Sequence, residues 1–261
     1  MLGAIAGDVI GSVHEYIGTK TTEFPLFVHR SDFTDDSVLT VAVAEALLDG
    51  LPYDLTVQRY ARAYPGRGYG GRFREWITQD PPRPYGSWGN GSAMRVSPIG
   101  FAAEDLDAAI VEARRTAEIT HDHPEGIRGA EATAAAVFLA RTGVARDELR
   151  RVITERFGYA LDFTIDDIRA DYSFKESCAQ TVPQAIVAFL DSSDFEHAIR
   201  LAISLGGDAD TLACITGGIA DAHYGGVPTE IAEETRKRLD PELLAVVRRF
   251  EERFLRSRGS R

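Results

Sequence analysis

The chain is predicted to fold as one all-α domain, a compact multi-helix body, and three observations carry that expectation. Apolar residues recur at intervals of three and four through most of the sequence, while alternating runs are nearly absent. Stretches rich in Gly and Pro, such as Asp80–Gly91, fall between the periodic segments. No linker, repeat period or low-complexity tract divides the 261 residues, a length that one large core can serve.

In chain order, Ala4, Ile5, Val9, Ile10 and Val13 mark a first helix whose Gly3, Gly7 and Gly11 leave a smooth face. Such a face suits close approach of another helix or of a ligand. Thr34–Leu48 is the most apolar helix, and Asp49-Gly50-Leu51-Pro52 stops it. Asp54–Tyr64 and Arg72–Ile77 read as short helices around the glycine-rich 65–71 turn. Further helices are expected at Ser92–Ala103, Leu106–Ile119, Glu125–Arg141 and Arg146–Phe157. A less regular Asp162–Tyr172 follows. Ser177–Leu190, Phe195–Leu205, Leu212–His223, Glu230–Arg238 and Glu242–Leu255 complete the set, and Arg256–Arg261 is expected to fray as a solvated tail.

Composition narrows the function. Hydrophobic and charged contents of 44% and 26% are those of an ordinary soluble protein. A net charge of −11 argues against an extended nucleic-acid footprint, which needs a basic patch. The apolar N-terminus holds Asp8 and lacks a basic leader region, and no run is long enough to span a membrane. Cys178 and Cys214 are lone cysteines in apolar stretches, expected as buried thiols. The reading is a cytoplasmic monomer.

Chemistry concentrates in two places. Thr34-Asp35-Asp36 and Asp208-Ala209-Asp210-Thr211 each set two carboxylates and a hydroxyl at the start of a long helix. One such residue caps a helix, so either both helices are over-capped or the surplus charge holds a cation. An all-oxygen set of this kind suits Mg²⁺ or Mn²⁺ better than Zn²⁺. Asp8 and Glu15 lie seven residues apart, on one face if the first helix continues; a Glu at a helix end is more often solvated than catalytic. Gly86–Arg95 runs a glycine-rich loop into a helix, either a plain turn or a phosphate cradle of backbone N–H groups aided by Arg95 or Trp88. His121 and His123 are spaced for a capping loop rather than for metal. Tyr69, Trp76, Tyr85 and Tyr172 would cover core or stack a base.

The succession GDVIGSVHE (7–15), FTDDS (33–37), GSWGNGSAMR (86–95), Thr120-His121 and GGDADT (206–211) resembles the ADP-ribosylglycohydrolase family over nearly the whole chain. That family includes dinitrogenase-reductase-activating glycohydrolases and ADP-ribosyl-acceptor hydrolases. The resemblance implies an all-α fold with a binuclear Mg²⁺ or Mn²⁺ centre at the base of a cleft. By position it makes Thr34, Asp35, Asp36, Asp208, Asp210 and Thr211 the metal ligands; lying between two of those positions, Asp210 is expected to be the bridging carboxylate. It places Ser87, Trp88, Gly89, Asn90, Gly91, Ser92, Met94 and His121 around the diphosphate and ribose, and Glu15 at the catalytic carboxylate. The 16–32 loop is shorter than in larger relatives, and Ser37 stands where Thr is frequent.

The implied reaction is hydrolysis of the bond between ADP-ribose and an acceptor: a protein side chain, a nucleic-acid end or a small conjugate. Glu15 would activate water or protonate the leaving atom. Two alternatives stand beside it. One is a metal-dependent phosphohydrolase cutting the diphosphate; the other is a non-catalytic descendant, which should have lost ligands.

Overall fold

A computed structural model describes residues 1–255; the expected frayed tail lies outside the described residues. Its centre is set by glycine and alanine. The first helix, α1 (Leu2–Gly11), is buried along its whole length. α2 (Asp35–Asp49) starts at the capping hydroxyl of Thr34 and ends at Gly50, whose φ of 63° is the left-handed conformation that stops a helix. α3 (Tyr53–Ala63) and α4 (Gly71–Ile77) lie to one side, and α5 (Gly91–Met94) and α6 (Ser97–Ala102) follow the glycine-rich loop. α7 (Leu106–Glu118), α8 (Pro124–Arg141) and α9 (Arg146–Phe157) form a sequential stack. After the short α10 (Ile165–Ile168) come α11 (Cys178–Leu190), α12 (Phe195–Ile203) and α13 (Ala209–Tyr224). α14 (Thr229–Arg238) and α15 (Pro241–Phe254) pack outside α1 and α2.

Helix starts follow the expected chemistry. Asp105, Asp194 and Asp240 accept from the N–H groups of Ala108, His197 and Leu243 at 2.7, 2.8 and 2.9 Å. Each such cap stabilises its helix by about 1 kcal/mol.

α13 is the axis. α1 runs antiparallel to it so closely that three glycines are obligatory: Gly3, Gly7 and Gly11 face Gly217, Ala213 and Asp210 in turn. The smooth face of the first helix therefore receives another helix, not a ligand. A Cβ at Gly7 would stand 1.9 Å from the carbonyl oxygen of Ala213. Backbone cannot yield there as a flexible side chain would. Gly7→Ala is expected to destabilise by roughly 3 kcal/mol, a fall in Tm of the order of 6–10 °C for a chain of this size. A thermal melt within 2 °C of wild type would show that the two helices slide apart freely, roughly the shift expected from under 1 kcal/mol.

One expected helix is two. Ser92–Ala103 breaks after Met94, because Pro98 has no N–H to offer the Met94 carbonyl. That carbonyl is taken instead by Thr40 Oγ1 and Cys214 Sγ, each at 3.3 Å. The break turns Arg95 inward, and the chain re-enters helix at Ser97. Both cysteines are buried free thiols, as expected. No helix among the described residues is long and apolar enough to cross a membrane.

Candidate active site

The N-termini of α2 and α13 meet at the floor of one cleft of about 460 Å³, within the size range of small-molecule sites. Thr34, Asp35, Asp36, Asp208, Asp210, Thr211 and Glu15 all line it. Contact across the floor is direct: Thr211 Oγ1 donates to Asp36 Oδ2 at 3.3 Å.

Capping explains little of this charge. Thr34 is the true N-cap of α2, accepting from Asp36 N at 3.3 Å. The buried carboxylate of Asp8, on α1, does the remaining work for that helix. It accepts from Thr34 N at 3.0 Å, Thr34 Oγ1 at 2.6 Å and Ser37 N at 3.1 Å, and also from the Ser37 hydroxyl. Asp208 occupies the N-cap position of α13 yet makes no capping bond; its Oδ2 accepts instead from Asn90 Nδ2 at 2.7 Å. Asp36 Oδ1 is buried without a partner. The two helix starts are not over-capped; their surplus carboxylates face each other.

Two groupings result. Oxygens of Asp8, Asp36 and Asp210 lie within 4.8 Å of one another, and so do those of Glu15, Asp208 and Asp210. Asp210 belongs to both. Asp35 lines the cleft but joins neither grouping. No ion pair among the described residues includes any of these carboxylates. Burial first, and then neighbouring negative charge, pushes Asp36 and Asp210 well above the usual carboxylate range and Asp35 up to about 8. The sulfur nearest them, Cys214, is held protonated by burial and donates to a carbonyl. The donor set is therefore hard oxygen, deficient in positive charge, with an orphaned oxygen aimed into it. That fits a divalent cation of the Mg²⁺ or Mn²⁺ type.

A pH dependence follows for protein stripped with a chelator. Raised carboxylates keep protons in the native state that the unfolded chain has lost above about pH 4, so stability falls as pH rises toward 8. Buried His121 and the buried Met1 amine, whose affinity for protons burial depresses, work in the opposite sense, His121 only below about 6.5 and the single amine only below about 8, against several raised carboxylates. Between about pH 6.5 and 8.5 the metal-free Tm is expected to fall, and saturating Mg²⁺ or Mn²⁺ to flatten the slope. A rising metal-free Tm over that interval would contradict the charge arrangement.

Glu15 does not share a helix face with Asp8. α1 ends at Gly11, and Glu15 sits in the following turns, half-buried over Asp208 and Asp210. Burial, with Asp208 and Asp8 behind it, raises its pKa. Its neighbour Tyr16 points a hydroxyl at it.

The opposite wall is the 86–95 segment. Ser87, Trp88, Gly89, Asn90, Gly91 and Met94 line the cleft together with His121. Ser92 does not: it is fully buried, its hydroxyl donating to the Gly126 carbonyl at 2.7 Å. The loop's amides are largely committed. Gly86 N donates to Asp122 Oδ1, Ser87 N to the Thr120 carbonyl, Gly89 N to Ser87 Oγ and Asn90 N to the Glu176 carbonyl. Of the two readings of this loop, the cradle of free N–H groups is thus mostly closed, and the positive charge lining the cleft is that of Arg72 and Arg95. Asn90 serves the floor by orienting Asp208. His123 caps α8 through Nδ1, whereas His121 is buried beside Thr120 Oγ1 at 2.7 Å and faces the cleft. Of the four loop aromatics, only Tyr85 lines the site; Trp76 and Tyr69 are core, and Tyr172 packs on Gly207.

Sequence patterning missed Asp8 as a member of the carboxylate floor, although a carboxylate inside an all-apolar helix was the available signal. It also missed Phe174 and Glu176, which line the cleft from an irregular segment without periodicity.

Comparison with known proteins agrees with this geometry. A sequence model of the ADP-ribosylglycohydrolase family matches residues 1–259. The chain belongs to the ADP-ribosylglycohydrolase family. ADP-ribosylhydrolase ARH3 of Mus musculus is 27% identical, the match covering 86% of this chain and 82% of the mouse protein. The family member ADP-ribosylarginine hydrolase Tri1 of Pseudomonas putida is 26% identical, with 90% and 72% covered. A solved structure named an ADP-ribosylglycohydrolase-related protein complex superposes with a TM-score of 0.68 at 24% identity, covering 96% of both chains, and shares the fold.

Proposed function

We propose that this family member is a metal-dependent hydrolase that releases ADP-ribose from an acceptor by cleaving the glycosidic bond at the anomeric carbon. The observation that carries the reading is the shared carboxylate: Asp210 stands in two oxygen groupings at the base of a cleft that also presents Glu15. Thr34, Asp35, Asp36, Asp208, Asp210 and Thr211 would hold two divalent ions, Asp210 being the carboxylate common to both oxygen groupings. Bound there, the ions would polarise ribose oxygens and make water more acidic. Asp8, already saturated with hydrogen bonds from Thr34 and Ser37, fixes the α2 start against α1, which itself packs on α13, and so helps to set the distance across the floor.

The chain's own residues do the rest. Glu15 moves the proton, its raised affinity for protons bringing it nearer neutral pH, where a proton-transfer group works best. Met94 and the 87–91 loop enclose the ribose and diphosphate. At Gly89 an added Cβ would lie 3.4 Å from both the Glu176 carbonyl oxygen and Ser87 Oγ and 3.7 Å from His121 Nε2, so a methyl group fits by ordinary contact and a branched side chain crowds this wall of the cleft. Gly89→Val is expected to weaken ADP-ribose binding roughly tenfold or more while leaving Mg²⁺ affinity and Tm nearly unchanged. Wild-type affinity by calorimetry would make the loop a plain turn.

Product analysis tests the function itself. Incubating ADP-ribosylated peptides with protein and Mg²⁺ or Mn²⁺ should release intact ADP-ribose. Release of AMP would establish the phosphohydrolase alternative, and absence of turnover with intact metal binding the non-catalytic one.

A further inference from the structure

One ammonium, outside the cleft, joins three chain segments that build it. Lys20 donates to the backbone carbonyls of Arg169, Tyr172 and Leu205, all within 2.7 Å, so its three hydrogens are all engaged. It forms no ion pair among the described residues. Exposed lysines ordinarily stay solvated, because fixing so long a side chain costs more than one partner contributes. Here the acceptors converge from 149 to 185 residues away in sequence. Two of them lie just past α10 and α12, where helix geometry leaves carbonyls unpaired. Capping would explain a lysine at either end; it does not explain one side chain serving both and a third carbonyl besides.

Each joined segment leads to the cleft. Tyr172 precedes Phe174 and Glu176, Leu205 precedes Asp208 by three residues, and Lys20 follows Glu15 by five. The turn between Glu15 and Lys20 is closed on itself. Ile17 N and Gly18 N donate to the His14 carbonyl at 3.1 and 3.4 Å, and His14 Nδ1 lies 2.8 Å from Thr19 Oγ1. The His14 ring packs on Phe24 at 4.6 Å. Residues 14–20 are thus one braced unit, and an anchor at Lys20 fixes Glu15 as well. Beneath it the backbones touch: a Cβ at Gly206 would stand 2.9 Å from the carbonyl oxygens of Gly18 and Thr19, and one at Gly207 2.5 Å from the Tyr172 ring. Asp208 has a separate hold in Asn90 at 2.7 Å, so the carboxylate floor does not rest on Lys20 alone.

We infer that Lys20 is a positioning residue: by locking the 14–20 turn onto the segment that starts α13, it sets Glu15 over Asp208 and Asp210 for proton transfer. The inference rests on the hydrolase reading above, with Glu15 as its proton-transfer group. Only an ammonium meets the geometry, because its three hydrogens diverge toward three acceptors, whereas a guanidinium is a planar fork.

The experiment measures single-turnover release of ADP-ribose from an ADP-ribosylated peptide, with Mg²⁺ saturating, in Lys20→Met, which keeps the apolar stem and removes the ammonium. Arg200 still clamps the rest of the loop, donating to the Thr22 and Phe24 carbonyls at 2.8 Å each, so Tm should stay within about 5 °C of wild type. The rate should fall at least about tenfold, since a misplacement of about 1 Å can cost a hundredfold. Affinities for ADP-ribose and Mg²⁺ should stay within about threefold. Added to Glu15→Gln, the same change should cost under about twofold more, because the group being positioned is already gone. Lys20→Cys treated with 2-bromoethylamine, which rebuilds a lysine-like ammonium on sulfur, should recover most of the rate; Cys178 and Cys214 are buried, and wild type treated alike is the control. A wild-type rate in Lys20→Met would overturn the inference and leave the hydrolase reading standing. So would an undiminished further loss in the Glu15→Gln background, no recovery on aminoethylation, or a parallel fall of rate, ligand affinity and Tm, the mark of a general structural role. Failure of wild type itself to release ADP-ribose would remove the hydrolase reading and this inference with it.

Discussion

Asp210→Ala is expected to lower turnover by at least a thousandfold, the largest effect of any single substitution in the cleft. Asp210 is the only residue common to both oxygen groupings, so its loss disturbs both at once. The companion measurement is stability, and its sign is diagnostic. Without metal, Asp210 is a buried acid whose charged form is penalised first by burial and then by Asp208 and Asp36. Removing it relieves that penalty, so the metal-free variant should melt at or above the wild-type temperature, unlike an ordinary buried truncation. With Mg²⁺ or Mn²⁺ at about a hundred times the dissociation constant, wild type should gain roughly 2.7 kcal/mol, and the variant should gain far less. Two-site binding of unchanged stoichiometry in calorimetry would remove Asp210 from the metal centre.

The second large effect belongs to Glu15. Glu15→Gln keeps shape and most hydrogen bonding, so ADP-ribose affinity should stay near wild type. Turnover should fall by about a hundredfold or more, the usual weight of a positioned proton-transfer group. The turn that carries Glu15 lies outside the α1 core, and its neighbour Tyr16 is exposed; the fold should therefore be indifferent to the change. Asp8→Asn is the informative control. Asp8 accepts from two backbone N–H groups and two hydroxyls, so its substitution should lower Tm and metal affinity before it touches the chemical step. Single-turnover release of ADP-ribose, measured with the metal saturating, separates the two. Retention of most of the rate by Glu15→Gln would return it to a solvated residue at a helix end.

Much of this site was legible before any coordinates, for a local reason. Helix starts advertise themselves through Asp, Thr and Gly, so the all-α class followed from order and spacing; the two aspartate runs before apolar helices left capping and cation binding open, and the family resemblance implied the second. The Gly3-Gly7-Gly11 stripe likewise announced a close contact. It did not announce which surface would fill it, because a smooth face is equally open to a helix and to a ligand.

Where local signals conflicted, packing decided. The sequence predicted one helix through Ser92–Ala103; the missing N–H of Pro98 divides it, and the division buries Arg95 beside the cleft. It also placed Ser92 with the substrate loop, whereas one turn of helix rotates that hydroxyl away toward Gly126. The glycine-rich loop read as either a plain turn or a cradle of free amides, and partners at Thr120, Asp122 and Glu176, distant in sequence, consume most of those amides.

By itself, then, the sequence determined that the chain would be helical and that two helix N-termini would carry surplus carboxylates, and through its family resemblance that Glu15 merited a catalytic test. Only the tertiary structure decided that those helix starts face one another, that Asp8 braces α2 from a third helix, and that Arg95 and Glu176 both line the cleft. The physical reason is range. Capping and periodicity act within a turn or two and are written locally, while charge proximity and hydrogen-bond commitment depend on which distant segments the core brings together.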